Sequence, residues 1–433
     1  MATPEKNTDA VYDASTLGTP KMLVLGLQHL FAMFGATVLV PAITGLNVST
    51  TLLFAGLGTL LFHLITGRKV PAFLGSSFAF LGAYGLVTAS GQDIPLTYSC
   101  FGVAVAGLVY LVLALFFKLF GAKKVMRFFP PIVTGPIIIL IGLNLSGTAI
   151  GNASTNWWLA LVAIAVIIVA NIWGKGMIKI IPILLGVVVS YVVALITGQV
   201  DFTAMREADI VGLQQFVIAK FDITSILVMA PIAIAAMMEH IGDISAISST
   251  TGKNFIEDPG LHRTLLGDGL ATAFAGMFGG PANTTYGENT GVLALSKVYD
   301  PRVIRLAALY AIILSFSPKF DALVNSIPTA IVGGVSFVLY GMISAVGVRN
   351  VVENKVDLTK SRNLIIAAVI FVSGLGFSST GGITFTVGSA DITLTGLAIA
   401  ALAGVLLNAI LPGNDYEFGT SVEGDKSADL GSY

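Results

Sequence analysis

The stretch Asn283-Thr284-Thr285-Tyr286-Gly287-Glu288-Asn289-Thr290-Gly291 has apolar sequence on both sides and sets a carboxylate beside a glycine. At bilayer depth an ionisable group costs roughly 2.5–3.5 kcal/mol on insertion scales, so such a group marks a functional site by default. Gly287 and the β-prone Thr284-Thr285-Tyr286 predict that a helix is interrupted here. Irregular backbone is tolerated at that depth only where protein buries it or it lines a cavity. Broken spans of this kind hold ligands near the membrane midplane. The stretch reads as half of a binding site.

The surrounding chain supports a membrane setting. Of 433 residues, 55% are hydrophobic and 11% are charged, with a mean hydropathy of +0.88. Globular domains carry about 25% charged residues, so the balance points to a polytopic membrane protein embedded in a lipid bilayer. A net charge of −1 argues against a nucleic-acid partner. A single cysteine, Cys100, excludes an internal disulfide and a cysteine-built metal site. There is no HExxH pair or GxSxG elbow, so the chain does not read as an enzyme, and no cofactor or metal is expected. The first twenty residues are polar and lack a signal-peptide core, which predicts a cytoplasmic N-terminus. From Gly413 the tail is polar, with Asp415, Glu417, Glu423, Asp425 and Asp429, and reads as disordered.

Apolar segments of spanning length predict fourteen spans. The first seven lie near Met22–Gly45, Thr50–Thr66, Val70–Ser90, Phe101–Phe120, Phe129–Ile150, Trp157–Gly174 and Ile180–Gly198. A polar connection, about Gln199 to Phe221, follows. The second seven lie near Ile223–Ser249, Leu265–Gly280, Asn283–Leu295, Ile304–Ser317, Ile327–Gly347, Leu364–Leu375 and Ile392–Leu411. With both termini inside, only Arg206, Lys220 and Lys319 of the 23 Lys and Arg residues fall outside. That asymmetry is what the positive-inside rule expects.

An offset of 211 residues relates the two halves. Leu27-Gln28-His29-Leu30 matches Met238-Glu239-His240-Ile241, Gly56 and Gly58 match Gly267 and Gly269, and Gly75-Ser76-Ser77-Phe78 falls on Tyr286-Gly287-Glu288-Asn289. Pro130 with Gly135 resembles Pro328 with Gly333. Each half holds an odd number of spans, so the repeats are expected to be inverted, with the ligand at their interface.

Three acids lie at depth: Glu239 and Asp243, which share one helical face in span 8, and Glu288 in span 10. The alternative is that they sit near a span end and snorkel, yet Glu239 follows about sixteen mostly apolar residues. His29, His63 and His240 read as structural, inter-helix groups, although a histidine can also relay protons. Gly75-Ser76-Ser77-Phe78 resembles an extended segment followed by a helix start, as does Thr284–Gly287 before Glu288. Two half-helix N-termini would then meet from opposite leaflets and offer backbone N–H groups to carbonyl oxygens or an anion. The alternative for the small residues is close helix packing, which Gly267, Gly269, Gly276, Gly279 and Gly280 suit. Backbone donors together with carboxylate acceptors fit a planar lactam such as a pyrimidine or purine base. Phe78, Tyr286 and Tyr340 are candidates to stack on a flat ring, although membrane aromatics also serve packing and interface belts.

At these residues the chain resembles the nucleobase–ascorbate transporter family, and within it the bacterial uracil permeases. The family signature, Gln/Glu/Pro-Asn-x-Gly, then four residues, then Thr and Arg, Lys or Gly, stands here as Glu288-Asn289-Thr290-Gly291 with Ser296-Lys297 where Thr plus a basic residue is usual. The segments 28–37, 71–80, 258–263 and 283–289 are also similar to that group. The resemblance implies an all-α polytopic protein of fourteen spans in two inverted seven-span repeats, with short strands interrupting spans 3 and 10. Residues 22–128 and 223–325 would form a core domain and 129–198 and 326–411 a gate domain. Residues 1–21 would be a cytoplasmic tail and 412–433 an acidic one. It further implies uracil:proton symport by alternating access in the plasma membrane, and a homodimer through the gate domain. Glu239 and Glu288 would bond the base through side chains and Phe78 and Gly287 through backbone, with Ala36, Tyr286 and Tyr340 nearby. Uracil permeases carry His where this chain has Asp243, so proton coupling falls to Asp243 or Glu239. Purine or xanthine transport is the alternative within the family, and anion transport a more remote one on the same fold.

Overall fold

The computed structural model describes residues 10–89, 96–212, 216–387, 390–414 and 416. The expected acidic tail therefore lies outside the described residues apart from 412–414 and 416. The first half contains α1 (Thr19–Thr44), α2 (Val48–Ile65), β1 (Leu74–Ser76), α3 (Leu81–Ala89), α4 (Leu96–Phe120) and α5 (Ala122–Met126). It continues with α6 (Pro131–Asn144), α7 (Ser146–Ser154), α8 (Trp157–Trp173), α9 (Met177–Ile180), α10 (Pro182–Ile196) and α11 (Thr203–Glu207). The second half contains α12 (Ile223–Met229), α13 (Ile232–Thr251), α14 (Leu261–Met277), β2 (Asn283–Thr285) and α15 (Gly287–Ser296). It ends with α16 (Pro301–Ser315), α17 (Pro318–Asn325), α18 (Thr329–Glu353), α19 (Ser361–Ser379), β3 (Ile383–Val387), β4 (Ala390–Leu394) and α20 (Gly396–Ile410).

Local chemistry sets these boundaries. Asn47, Asp222 and Thr395 cap α2, α12 and α20 by accepting from Thr50, Ser225 and Ala398 N–H. Gly45 and Gly252 take left-handed conformations just past α1 and α13 and close them.

Among the described residues, seven spans of helix are long and apolar enough to cross a membrane, or eight if the pair α16–α17, bent by 89°, is one span. The remaining expected spans fall below that length for physical reasons. Spans 3 and 10 are each a three-residue strand and a short helix of 9 or 10 residues. Helices α8, α10, α14 and α20 have only 15 to 17 residues. Two further differences stand out. Expected span 14 begins inside the antiparallel hairpin β3–β4, and its helix starts only at Gly396. Expected span 8 is divided into α12 and α13 at Ala230-Pro231, where proline removes a helical donor from the ladder although both residues keep helical dihedrals.

The helices fall into two packed groups. In one, α4 lies along α14, α2 packs on α14 and α16, and α1 on α16; in the other, α18 packs on α6, α7, α8 and α10, and α19 on α6 and α20. Helix α13 touches both, meeting α4 and α15 in the first and α6 and α20 in the second. A Cβ added at Gly107 would lie 2.5 Å from Ala273 N, and one at Gly276 2.5 Å from Ala104 N. The glycines of span 9 thus let α4 and α14 approach at backbone distance.

Candidate functional site

Strands β1 and β2 cross antiparallel, with Leu74 opposite Thr285, Gly75 opposite Thr284 and Ser76 opposite Asn283. Tyr286 N–H donates to Phe73 O (3.0 Å) and Ser77 N–H to Ala282 O (2.8 Å), which extends the ladder at both ends. Two short strands leave outward-facing N–H and C=O groups that nothing in a bilayer core would satisfy. Threonines on the neighbouring helices meet them. Thr59 Oγ1, on α2, accepts from Leu74 N–H (2.9 Å) and donates to Leu74 O (3.3 Å). Thr272 Oγ1, on α14, accepts from Asn283 N–H (3.1 Å) and donates to Asn283 O (3.0 Å). Each hydroxyl stands in for a third strand. The Asn283 amide also donates to Phe54 O and Ala271 O, both at 3.3 Å, which anchors β2 between α2 and α14.

The crossing decides where Tyr286 points. Its hydroxyl donates to Ser76 O (3.0 Å) and accepts from Thr37 Oγ1 (3.3 Å). A Cβ at Gly75 would lie 2.5 Å from Tyr286 Cε2, so glycine is required for the ring to cross β1. The Tyr286 ring is therefore committed to β1 and is not a free stacking surface. Ala36 is fully buried on α1, one residue before Thr37. Phe78 and Tyr340 are both buried and meet edge to face with centroids 5.7 Å apart, which joins the helix start after β1 to α18.

The acids gather on the β2 side. Glu288 occupies the first turn of α15, directly after the exposed Gly287. Glu239 is half-buried on α13, and its Oε2 is enclosed with no hydrogen-bond partner among the described residues. Asp243, one turn further along α13, accepts from Thr285 Oγ1 at 3.0 Å. Its Oδ1 would lie 3.5 Å from a Cβ placed on Gly287, so Asp243 reaches the head of α15. A buried polar group without a partner costs free energy, so the enclosed Oε2 of Glu239 has hydrogen-bonding capacity that no described residue meets.

Sequence reasoning missed a fourth acid. Asp268 on α14 is fully buried, and its Oδ2 lies 2.9 Å from His240 Nδ1. The same ring nitrogen is 3.4 Å from Thr285 Oγ1, so Asp268, His240, Thr285 and Asp243 form a continuous polar chain behind the crossing. The signal was present, since Asp268 sits inside an apolar helix between Gly267 and Gly269. His240 thus takes the inter-helix position that its sequence context suggested. His29 does likewise: the Asn289 amide nitrogen lies 3.2 Å from His29 Nδ1 and donates to His29 O (3.1 Å), tying α15 to α1. His63 Nε2 lies 2.8 Å from Ala72 O, just before β1. Away from these acids, toward the Thr251 end of α13, a cavity of about 510 Å³ is lined by Ile241, Ser245 and Ser249 of α13, Thr134 of α6, Asn354 near the end of α18 and Arg362 of α19; none of Glu239, Asp243 and Glu288 lines it. No group of three or more metal-ligating side chains occurs among the described residues.

Apolar helices around two broken spans, with acids at the break, define a multi-pass membrane transporter. Solved structures share this fold. The transmembrane domain of a cyanobacterial bicarbonate transporter, BicA, aligns with a TM-score of 0.64 at 16% identity, covering 91% of this chain and 99% of that one. The overall structure of SLC26A9 aligns with a TM-score of 0.66 at 12% identity, covering 92% and 66%. At these identities the likeness is one of fold alone.

The Permease family model matches residues 20–382, and the chain belongs to that family of transporters. Among its relatives, the uracil permease of Bacillus caldolyticus is 44% identical over 419 residues, 93% of this chain and 94% of the relative. The uracil permease of Bacillus subtilis is 41% identical, covering 89% and 91%, and that of Escherichia coli K12 is 38% identical, covering 89% and 90%.

Proposed function

We propose that this protein imports uracil across the plasma membrane by proton symport. The observation that carries the reading is the pairing of an open carboxylate, Glu239, with the exposed helix start at Gly287-Glu288 beside the β1–β2 crossing. The relatives' names supply the particular base. In this reading Glu239 and Glu288 accept the ring N–H groups, while backbone at Gly287 and Phe78 meets the ring carbonyls. Tyr340 and Ala36 shape the wall, and Tyr286 holds β1. An anion on the same fold would be repelled by the two glutamates.

Uracil is neutral, so concentrating it requires a coupled ion. One proton moving through 100 mV supplies about 2.3 kcal/mol, roughly fiftyfold accumulation before any pH gradient. Asp243, hydrogen-bonded to the strand and touching the head of α15, is the proposed coupling group, with Glu239 as its partner. Two adjacent acids on one helical face titrate as a pair.

The wider architecture belongs to the same proposal: fourteen spans in two inverted repeats, both termini cytoplasmic, and a homodimer through the gate domain. The antiparallel β1–β2 crossing supports the repeats, as do the matching threonine brackets at Thr59 and Thr272. The two packed helix groups support a division into core and gate, with α13, which touches both, at the boundary in this reading. Competition uptake in proteoliposomes tests the substrate. Labelled uracil is displaced by unlabelled uracil and not by xanthine; equal displacement by xanthine would favour a purine permease.

A further inference from the structure

The segment before α1 docks on the ends of the two helices that carry the site glutamates. Val11 N–H donates to Lys297 O and Tyr299 N–H to Val11 O, both at 2.8 Å, pairing the segment with the chain just past α15. The next residue reaches the other helix: Tyr12 Oη donates to Thr251 O, at the last residue of α13, at 2.8 Å. The Tyr12 ring meets Tyr299 edge-on at 5.4 Å and lies under Lys253 Nζ at 4.6 Å. Beyond it, Ala14 N–H donates to Asp300 Oδ2 (2.7 Å), while Arg302 reaches Asp13 Oδ1 (2.7 Å), so the start of α16 is held as well.

Helices are stiff over these lengths. Thr251 lies twelve residues from Glu239, and Ser296 eight residues from Glu288, or roughly 18 and 12 Å at 1.5 Å per residue. The middle of α13 is tied to β2, just ahead of α15, through Asp243 and Thr285. The far ends of the two helices are tied by Tyr12 and Val11. From this geometry we infer that residues 10–14 form a positioning strap that sets the spacing of Glu239 and Glu288, so that Tyr12 tunes substrate affinity from the far end of the helix pair. This rests on the uracil site proposed above. A strap that only held the N-terminus down would change thermal stability and leave affinity alone.

The test uses the full-length protein purified with Tyr12→Phe, which keeps the ring and loses the hydroxyl, and with Tyr12→Ala. Uracil Kd is read by calorimetry and counterflow at saturating uracil by proteoliposome assay. The expected result is a Kd raised about three- to tenfold in Tyr12→Ala, with a smaller rise in Tyr12→Phe, and saturated counterflow near wild type. Wild-type Kd in both variants, even with a lowered melting point, overturns the proposal. If Tyr12→Ala does not fold, Arg302→Gln, which releases the strap's exposed Asp13 from α16, replaces it with the same expectation. If the wild-type protein binds no uracil, the substrate reading fails on its own. Hydrogen exchange of amides 287–296 then decides the strap: faster exchange in the Tyr12 variants supports it, and unchanged exchange refutes it.

Discussion

Thr272→Val removes one hydroxyl and keeps the side chain's shape, so it isolates the bracket on β2. Thr272 is fully buried and Asn283 nearly so, and both the N–H and the C=O of Asn283 rely on that hydroxyl, at 3.1 and 3.0 Å. Each backbone group left without a partner costs about 1–3 kcal/mol, so the pair amounts to roughly 2–6 kcal/mol. No cavity term is added, because valine fills the same volume. At about 2–4 °C per kcal/mol the melting point should fall by about 4 °C or more. Part of the strain can relax by displacing β2, which would move Gly287 and weaken uracil binding. The assay is built into the chain: its single cysteine, Cys100, is buried at 1% exposure, so a thiol-reactive dye reports unfolding. Thr272→Ser retains the hydroxyl and should behave as wild type, whereas Thr59→Val should mimic Thr272→Val from the other half. If Thr272→Val melts and binds with the wild type, the hydroxyl is not the partner that β2 depends on.

Three further outcomes follow from the site. Glu239→Gln and Glu288→Gln should each weaken uracil binding about ten- to a hundredfold, the loss of one charge-assisted hydrogen bond of about 1.5–3 kcal/mol; calorimetry showing wild-type affinity would remove that residue from the site. Asp243→Asn should leave binding and counterflow intact while abolishing uptake driven by a pH gradient, and full gradient-driven uptake in this variant would move coupling to Glu239. At the strap, hydrogen bonds from Ser15, its hydroxyl first, together with Arg302, hold the Asp13 carboxyl below the usual carboxylate range. A carboxylate with a depressed folded pKa contributes above its unfolded value, and the contribution is lost as pH falls through the folded value. Asp13 therefore stays ionised from about pH 5 to 8, and any effect of Asp13→Asn on affinity should be the same across that window.

How much of this was legible in the sequence depended on whether the signal was local. The strands at 74–76 and 283–285 were readable, because glycine stands beside β-prone Thr284-Thr285-Tyr286 in one span and beside the cap-forming Ser76-Ser77 in the other, clusters that favour extended backbone. Glu239, Asp243 and Glu288 stood out as charges at depth, and the span 9 glycines as packing residues. Asp268 was lost among those same glycines, since a single acid between small residues reads as part of a packing face. The β3–β4 hairpin was hidden by its apolar content, although Ile383-Thr384-Phe385-Thr386-Val387 alternates with a period of two, the pattern of a strand. The direction of the Tyr286 ring could not be read at all, because Gly75 and Thr37, more than two hundred residues away, decide it. The strap escaped notice for the same reason. Val11, Tyr12 and Asp13 have no periodicity, and their partners lie at Thr251 and beyond.

If carboxylates beside the strand crossing bind a neutral base, a proton must drive its uphill movement. The most direct measurement is accumulation of labelled uracil in proteoliposomes carrying the purified protein, with and without an imposed inward proton gradient. Uptake above the equilibrium level is expected only with the gradient, and it should collapse when a protonophore is added. Uptake that stops at equal concentrations inside and out, whatever the gradient, would contradict proton-driven transport.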